Sequence, residues 1–208
     1  MVESALIHNR FAERLRADDA VLVIVDGQSE ALAAAGSRDR MDALRNNLVG
    51  LARLGHAFGL PTVLGIGCDR ERGAILDELI DLFGPKSVSR RRGCGFWDDP
   101  GSRDAVLSRG RRHLVLASLA AGFGLASTAL AARADGLDVH AVLDASAGSG
   151  DAAERVDLAR MAAAGVRLTS WVAVLAELAA TGVDTCGGNG AAAVRDNLDR
   201  YAALTLAR

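Results

Sequence analysis

Short apolar runs alternate along the chain with longer stretches in which apolar residues recur every three or four positions. AVLVIVD (Ala20–Asp26) is a continuous β-branched run closed by an acid, the pattern of a strand buried on both faces. PTVLGIG (Pro61–Gly67), HLVLAS (His113–Ser118), VHAVLDAS (Val139–Ser146) and VRLTS (Val166–Ser170) repeat that signal. Between Arg38 and Phe58, Met41, Leu44, Leu48, Leu51 and Leu54 fall at helical spacing. ILDELIDLFG reads as a short helix stopped by Gly84, Phe123 to Ala134 as a helix broken by Gly136, and DAAERVDLARMAAAG as a helix capped by Asp151. WVAVLAELAA follows the last strand as a further helix. Strands alternating with helices predict a three-layer α/β/α sandwich around a mainly parallel, Rossmann-like sheet of about six strands. Residues 1–185 form the expected domain, and 186–208 a Gly-rich break followed by a helix that packs on the body or on a neighbouring subunit.

Composition narrows the class. Half of the 208 residues are hydrophobic, 24% are charged and only 4% aromatic, which implies a globular chain with an aliphatic core. A net charge of −2 gives no electrostatic reason to expect nucleic acid or an anionic membrane. No apolar run approaches the ~20 residues that span a bilayer. Cys68, Cys94 and Cys186 form no CxxC pair, and the charged start carries no secretory h-region, so a reduced cytoplasmic protein is expected. His8, His56, His113 and His140 are scattered without ligand spacing, so neither a metal nor another cofactor is expected.

In a doubly wound sheet, sites lie at the carboxyl ends of the strands near the point where strand order reverses. That selects Asp26 with its neighbour Gln28, the loop after GIG, the region Arg90–Asp99, the turn Ala120–Gly124, and Asp144. The turn SLAAGFGLAS holds no nucleophile, only Gly122, Phe123 and Gly124 where the helix begins.

VLVIVDGQ, RRRGCGFWDDP, HLVLASLAAGFGLASTALAARADGLDVHAVLDAS and RMAAAGVRLTSWVAVLAEL occur in the order and spacing of the isochorismatase-like hydrolase superfamily. The resemblance covers Asp19 to Ala180 and is strongest to the small oligomeric bacterial hydrolases of poorly defined substrate. It implies an Asp–Lys–Cys triad in which the acid and the lysine activate a thiol for acyl transfer. Here the Asp is Asp26, the Lys position falls within Arg90–Arg92, on Arg90 or Arg91, and the Cys position is Gly124. True isochorismatases resemble this chain in having Gly at that point, and they cleave a vinyl ether without a covalent intermediate. The resemblance therefore implies a homo-oligomeric hydrolase acting by acid–base chemistry on a small, carboxylated metabolite. Two alternatives stand beside it: a silent metabolite-binding or assembly subunit, and a hydrolase using Cys94 as a displaced nucleophile.

Each candidate also has a plainer reading. Asp26 is either the general acid or base or a helix cap, and Gln28 either orients it or lies in a surface turn. Arg90, Arg91 and Arg92 are a solvated charge run unless one turns inward, where its fork would anchor a carboxylate. Arginine stays protonated, so it anchors rather than shuttles protons. Gly124 and Gly122 would supply amides for an oxyanion and leave a roomy pocket. Trp97 is the better wall of that pocket than Phe96, with Arg92 and Phe123 as further contacts. Asp144 ends its strand as a cap, and GSGD (Gly148–Asp151) reads as a turn more than a phosphate loop.

Overall fold

Six consecutive apolar residues give β1 (Ala20–Val25) no polar face, so it must be covered on both sides. A computed structural model, describing residues 13–34, 36–67, 73–120, 124–148, 150, 152–181 and 192–206, places it in the middle of a parallel sheet. The other strands are β2 (Thr62–Gly67), β3 (Val88–Arg91), β4 (His113–Ser118), β5 (Asp138–Val142) and β6 (Arg167–Thr169). Their order is β3-β2-β1-β4-β5-β6, so the chain winds outward to β3 and then returns past β1 to start β4. The reversal falls between β1 and β4, with Val25 paired to Ser118 at the carboxyl end.

Alternate strand residues feed two cores. Leu22, Ile24, Leu64 and Val115 pack under α2 (Arg38–Ala57), α3 (Asp77–Phe83) and α7 (Trp171–Thr181). Val21, Val23, Leu114, Leu116 and Val139 pack under α4 (Pro100–Leu107), α5 (Gly124–Ala134) and α6 (Ala152–Ala163). Two further helices complete the described elements: the short α1 (Ser29–Ala33) after β1, and α8 (Arg195–Leu206), which lies against α2. That contact is polar at its centre. Asn197 Nδ2 donates to the Asn46 carbonyl at 3.0 Å, and Asn46 Nδ2 returns a bond to the Asn197 carbonyl at 3.0 Å. The terminal helix thus sits on its own domain, while residues 182–191 lie outside the described residues.

The α/β/α expectation stands, with two local departures. The expected strand Val139–Ser146 stops at Val142 and continues as a 3-10 turn, Leu143–Ala145. Asp144 caps as expected, its Oδ1 accepting the Trp171 amide at 2.9 Å. The sixth strand, β3, falls where the sequence pattern places no strand and shows only a charge run at Arg90–Arg92. Its sequence VSRR carries no apolar signal because it is an edge strand, held by its ladder to β2 with Ile66 opposite Arg90 and Gly67 opposite Arg91.

Candidate active site

β3 decides the fate of the three arginines. Side chains alternate across a strand, so neighbours Arg90 and Arg91 must point to opposite faces. Arg91 turns inward, with 2% of its side chain exposed; Arg90 and Arg92 stay exposed. Of the two arginines proposed for the family's lysine position, Arg91 is the one that reaches Asp26. Its Nη1 donates to Asp26 Oδ1 at 2.7 Å and its Nη2 to Oδ2 at 2.8 Å, a bidentate pair. Its Nε donates to the Cys94 carbonyl at 3.1 Å.

Asp26 is fully buried and is the described non-glycine residue with a left-handed backbone, φ 55°. Aspartate tolerates that conformation better than a branched residue. The bend turns the carboxylate back over the sheet end, where Oδ1 also accepts the Gly67 amide at 3.2 Å. These contacts all donate to the carboxylate. The plain cap reading of Asp26 is replaced by a buried ion pair joining the ends of β1, β2 and β3.

Gly124 begins α5, as expected, but its surroundings correct the idea of a roomy pocket. A Cβ there would stand 2.5 Å from Ser118 Oγ and 2.6 Å from Ala120 Cβ. The space a cysteine would enter is already filled from the end of β4. The Gly124 amide donates to the Ala120 carbonyl at 3.2 Å, so it is not a free oxyanion donor. Gly122 and Phe123, the other candidates on this turn, lie outside the described residues. Ser118 passed unnoticed in the sequence; its terminal place on a buried strand was the available signal.

Trp97 does not line the site. Gly65 has no side chain, and Phe96 fills the gap, a Cβ there lying 2.3 Å from its ring. Trp97 follows Phe96 into the core, 5% exposed, with Nε1 donating to Asp135 at 2.9 Å beyond the end of α5. Arg92 donates its amide to Asp99 Oδ2 at 3.2 Å, steadying the N-cap of α4 rather than facing Asp26. In the GSGD turn the Gly150 amide is taken by Glu154, which supports the plain turn.

A cavity of about 940 Å³ adjoins the ion pair on the α3 side of the sheet. Gln28, Gly67 and Arg90 line it with Ile66, Ile80 and Val88. Gly67 therefore belongs to both places: it walls the cavity and binds Asp26. Gln28 is 3% exposed, and its Nε2 donates to the Gly73 carbonyl at 2.6 Å. A bridge between Gln28 and Ile75 fixes that wall. Among the described residues no group of three or more His, Cys, Asp or Glu could hold a metal ion. No helix among them is long and apolar enough to cross a membrane.

The Isochorismatase domain matches residues 20–173, the stretch that contains the acid–arginine pair and the helix starting just past β4. The chain belongs to the isochorismatase family. It is 31% identical over 168 residues to the "Probable hydrolase YcaC" of Escherichia coli, covering 79% of this chain and 80% of that protein. YcaC from Pseudomonas aeruginosa, solved with hexane-2,5-diol and covalent acrylamide, superposes with a TM-score of 0.82 at 29% identity. The alignment covers 94% of this chain and 97% of that one. The Escherichia coli YcaC structure, described as an octameric hydrolase of unknown specificity, gives 0.81 at 28% identity over 93% and 95% of the two chains.

Proposed function

We propose that this isochorismatase-family chain is a hydrolase that acts without a covalent intermediate on a small carboxylated metabolite. The observation that carries the reading is the Asp26–Arg91 pair, kept at the switch point beside a large cavity while position 124 has no room for a thiol. Asp26 handles the proton. Arg91 has both terminal nitrogens on that carboxylate, so it is a positioning residue and not the substrate's anchor. The anchor is Arg90, exposed along the cavity. By likeness to the octameric relative, the chain forms a homo-oligomer, and it works in the cytoplasm without metal or cofactor.

Two routes are open to such an acid–base pair. Vinyl ether cleavage needs Asp26 to give a proton to the enol carbon before water attacks the oxocarbenium ion. Direct hydrolysis of an acyl bond needs Asp26 to take a proton from the attacking water. The donors converging on Asp26 favour the second route. Incubation with isochorismate, following pyruvate, reads the first; incubation with carboxylated amides, following amine, reads the second. Release that disappears in Asp26→Asn supports the hydrolase.

A second reading, a metabolite-binding member without turnover, is favoured by the complete burial of Asp26. Saturable binding of a carboxylate with no release on any substrate would establish it. Cys94, exposed next to the arginines, is tested in the same assays, since turnover lost in Cys94→Ser would move the nucleophile there.

A further inference from the structure

At the amino end of the sheet, opposite the candidate site, two imidazoles are buried side by side. His113 opens β4 and His140 stands in the middle of β5, with His113 Nδ1 3.2 Å from His140 Nε2. A guanidinium only donates, so Arg112 Nη2, 3.3 Å from His113 Nε2, requires that nitrogen to be bare. The His113 proton is then on Nδ1 and points at His140 Nε2, which must be bare as well. Both rings are thus neutral, and a further proton on either bare nitrogen sets donor against donor. Burial pushes the His140 imidazole down to about 3, helped by Arg167 and His113 against Asp138. Burial and then Arg112 lower His113 too, against Asp138 and Asp19, with a smaller push from Arg167.

The same arginines hold the segment Glu13–Asp19. Arg112 is ion-paired with Glu13, and its Nε lies 3.8 Å from Asp19 Oδ2 and 3.6 Å from Asp138 Oδ2. The Arg112 amide donates to Asp19 Oδ1 at 2.9 Å, while Arg133 of α5 faces the other Asp138 oxygen at 3.7 Å. Arg167, opposite His140 in the β5–β6 ladder, donates Nη1 to the Glu13 carbonyl at 2.6 Å. From α7, Glu177 accepts the Leu15 amide at 3.0 Å and the Thr181 hydroxyl donates to the Leu15 carbonyl at 3.0 Å. Leu15 itself is fully buried in the core shared with Leu22 and Trp171. The segment is therefore a strap over the amino ends of the strands, fastened by two arginines that flank the histidine pair.

We propose that the strap Glu13–Asp19 is an acid-released latch, shut while His113 and His140 are neutral and opened when either takes a proton. A His113 imidazolium repels Arg112 and competes with it for Glu13, Asp19 and Asp138, and a His140 imidazolium repels Arg167. The open strap lets both rings reach water and their ordinary value of 6.5, whereas the closed strap refuses the proton. Closure is therefore favoured above that value and weakens below it, about tenfold per pH unit for each imidazole until the closed-state value is reached. The latch lies at the end of the sheet away from Asp26 and does not depend on the hydrolase reading.

The test is hydrogen–deuterium exchange of the full-length protein read by mass spectrometry and corrected for the pH dependence of chemical exchange. Between about pH 7.5 and about pH 4.5, above the usual carboxylate values, peptides over residues 13–19 should lose protection about tenfold or more. Peptides over β1 and β4 should keep theirs. Exchange at the histidine C2 carbons of the same samples should show His113 and His140 titrating below their ordinary value, together with the loss of strap protection. The double variant His113→Gln with His140→Gln, which keeps an amide donor and acceptor at each place but takes no proton, should hold the strap shut across the range. Arg112→Met should open it at every pH. The peptide comparison and the histidine titration use the unaltered protein, so they stand even where a variant folds poorly. A strap protected throughout, strap and β4 opening together, histidines titrating at their ordinary value, or the same acid opening in the double glutamine variant would each overturn the latch.

Discussion

Restoring the family's nucleophile by Gly124→Cys should damage this protein rather than repair it. The new Cβ would lie 2.5 Å from Ser118 Oγ and 2.6 Å from Ala120 Cβ, both closer than real Cβ contacts. Neither neighbour is the far end of a flexible chain. Ser118 is fully buried, its amide donates to Ser146 Oγ at 3.1 Å and its Oγ accepts the Ala120 amide at 3.2 Å. Overpacking of this kind costs about 1–3 kcal/mol, and the gain from replacing glycine at a helix start returns only about 0.5 kcal/mol. For a domain of this size, each kcal/mol lowers the midpoint by about 2–4 °C, so a drop of roughly 1–10 °C is expected. Ser118→Ala, Ala120→Gly and Gly124→Cys combined should recover most of it, because the Ser118 Cβ stands at an ordinary 3.7 Å. Thermal and urea denaturation of the parent, the single variant and the triple variant measure the coupling. A Gly124→Cys protein as stable as its parent would refute the claim that position 124 is packed shut.

Four other outcomes follow from the same contacts. Arg91→Met should cost about 3–5 kcal/mol by leaving Asp26 buried and uncompensated, and the double variant with Asp26→Asn should recover part of it, both read from urea unfolding. Stability should fall as pH drops from 6.5 towards 3, because burial and the nearby Arg167 push the His140 imidazole down to about 3. The unfolded chain then binds a proton that the native one refuses, worth on the order of 4 kcal/mol by the low end, and His140→Gln should flatten that slope. Asn197→Ala should loosen α8, seen as faster proteolysis at the C-terminal end, because it removes the Asn197 Nδ2 bonds to the Asn46 carbonyl and to Asn46 Oδ1 and takes that buried oxygen's donor away. Acrylamide should label exposed Cys94 with no loss of ligand binding; loss of binding on labelling would return Cys94 to the site.

The layers of this fold were legible wherever a strand is buried on both faces. AVLVIV and HLVLAS leave no polar face to place, so their apolar runs could only be central strands. Legibility failed at the edge. VSRR is partly solvated, its stability comes from backbone pairing with β2, and hydrophobic pattern says nothing about backbone pairing. That one missed strand hid the answer to which arginine faces Asp26, since the answer follows from strand alternation alone. Trp97 was misplaced for a different reason. Its direction is set by Phe96 entering the gap over Gly65, a contact between residues 31 positions apart in sequence that no local window contains. The filling of position 124 by Ser118 is likewise a tertiary fact, dependent on how the turn folds back after β4.

Packing alone gives no reason for the arrangement at the end of β1. A buried acid–arginine pair is often no better than well-packed apolar residues of similar volume, because both ions must leave water. A left-handed aspartate adds strain of order 1 kcal/mol that glycine would avoid. Gln28, two residues on, holds a carbonyl oxygen without a partner. Three features that each cost stability thus cluster within a few residues, at the sheet position where open α/β folds bind ligands. Chance strain would be scattered, and strain serving only the fold would be repaid by local contacts. Here Gln28 Oε1 stays unrepaid while Arg90 lines the adjoining cavity, so the cost is laid to the site and not to the packing. Arg91 then has a consistent part: it keeps Asp26 ionically fixed in a strained bend while Arg90, one residue earlier and on the other face, is left to meet the ligand.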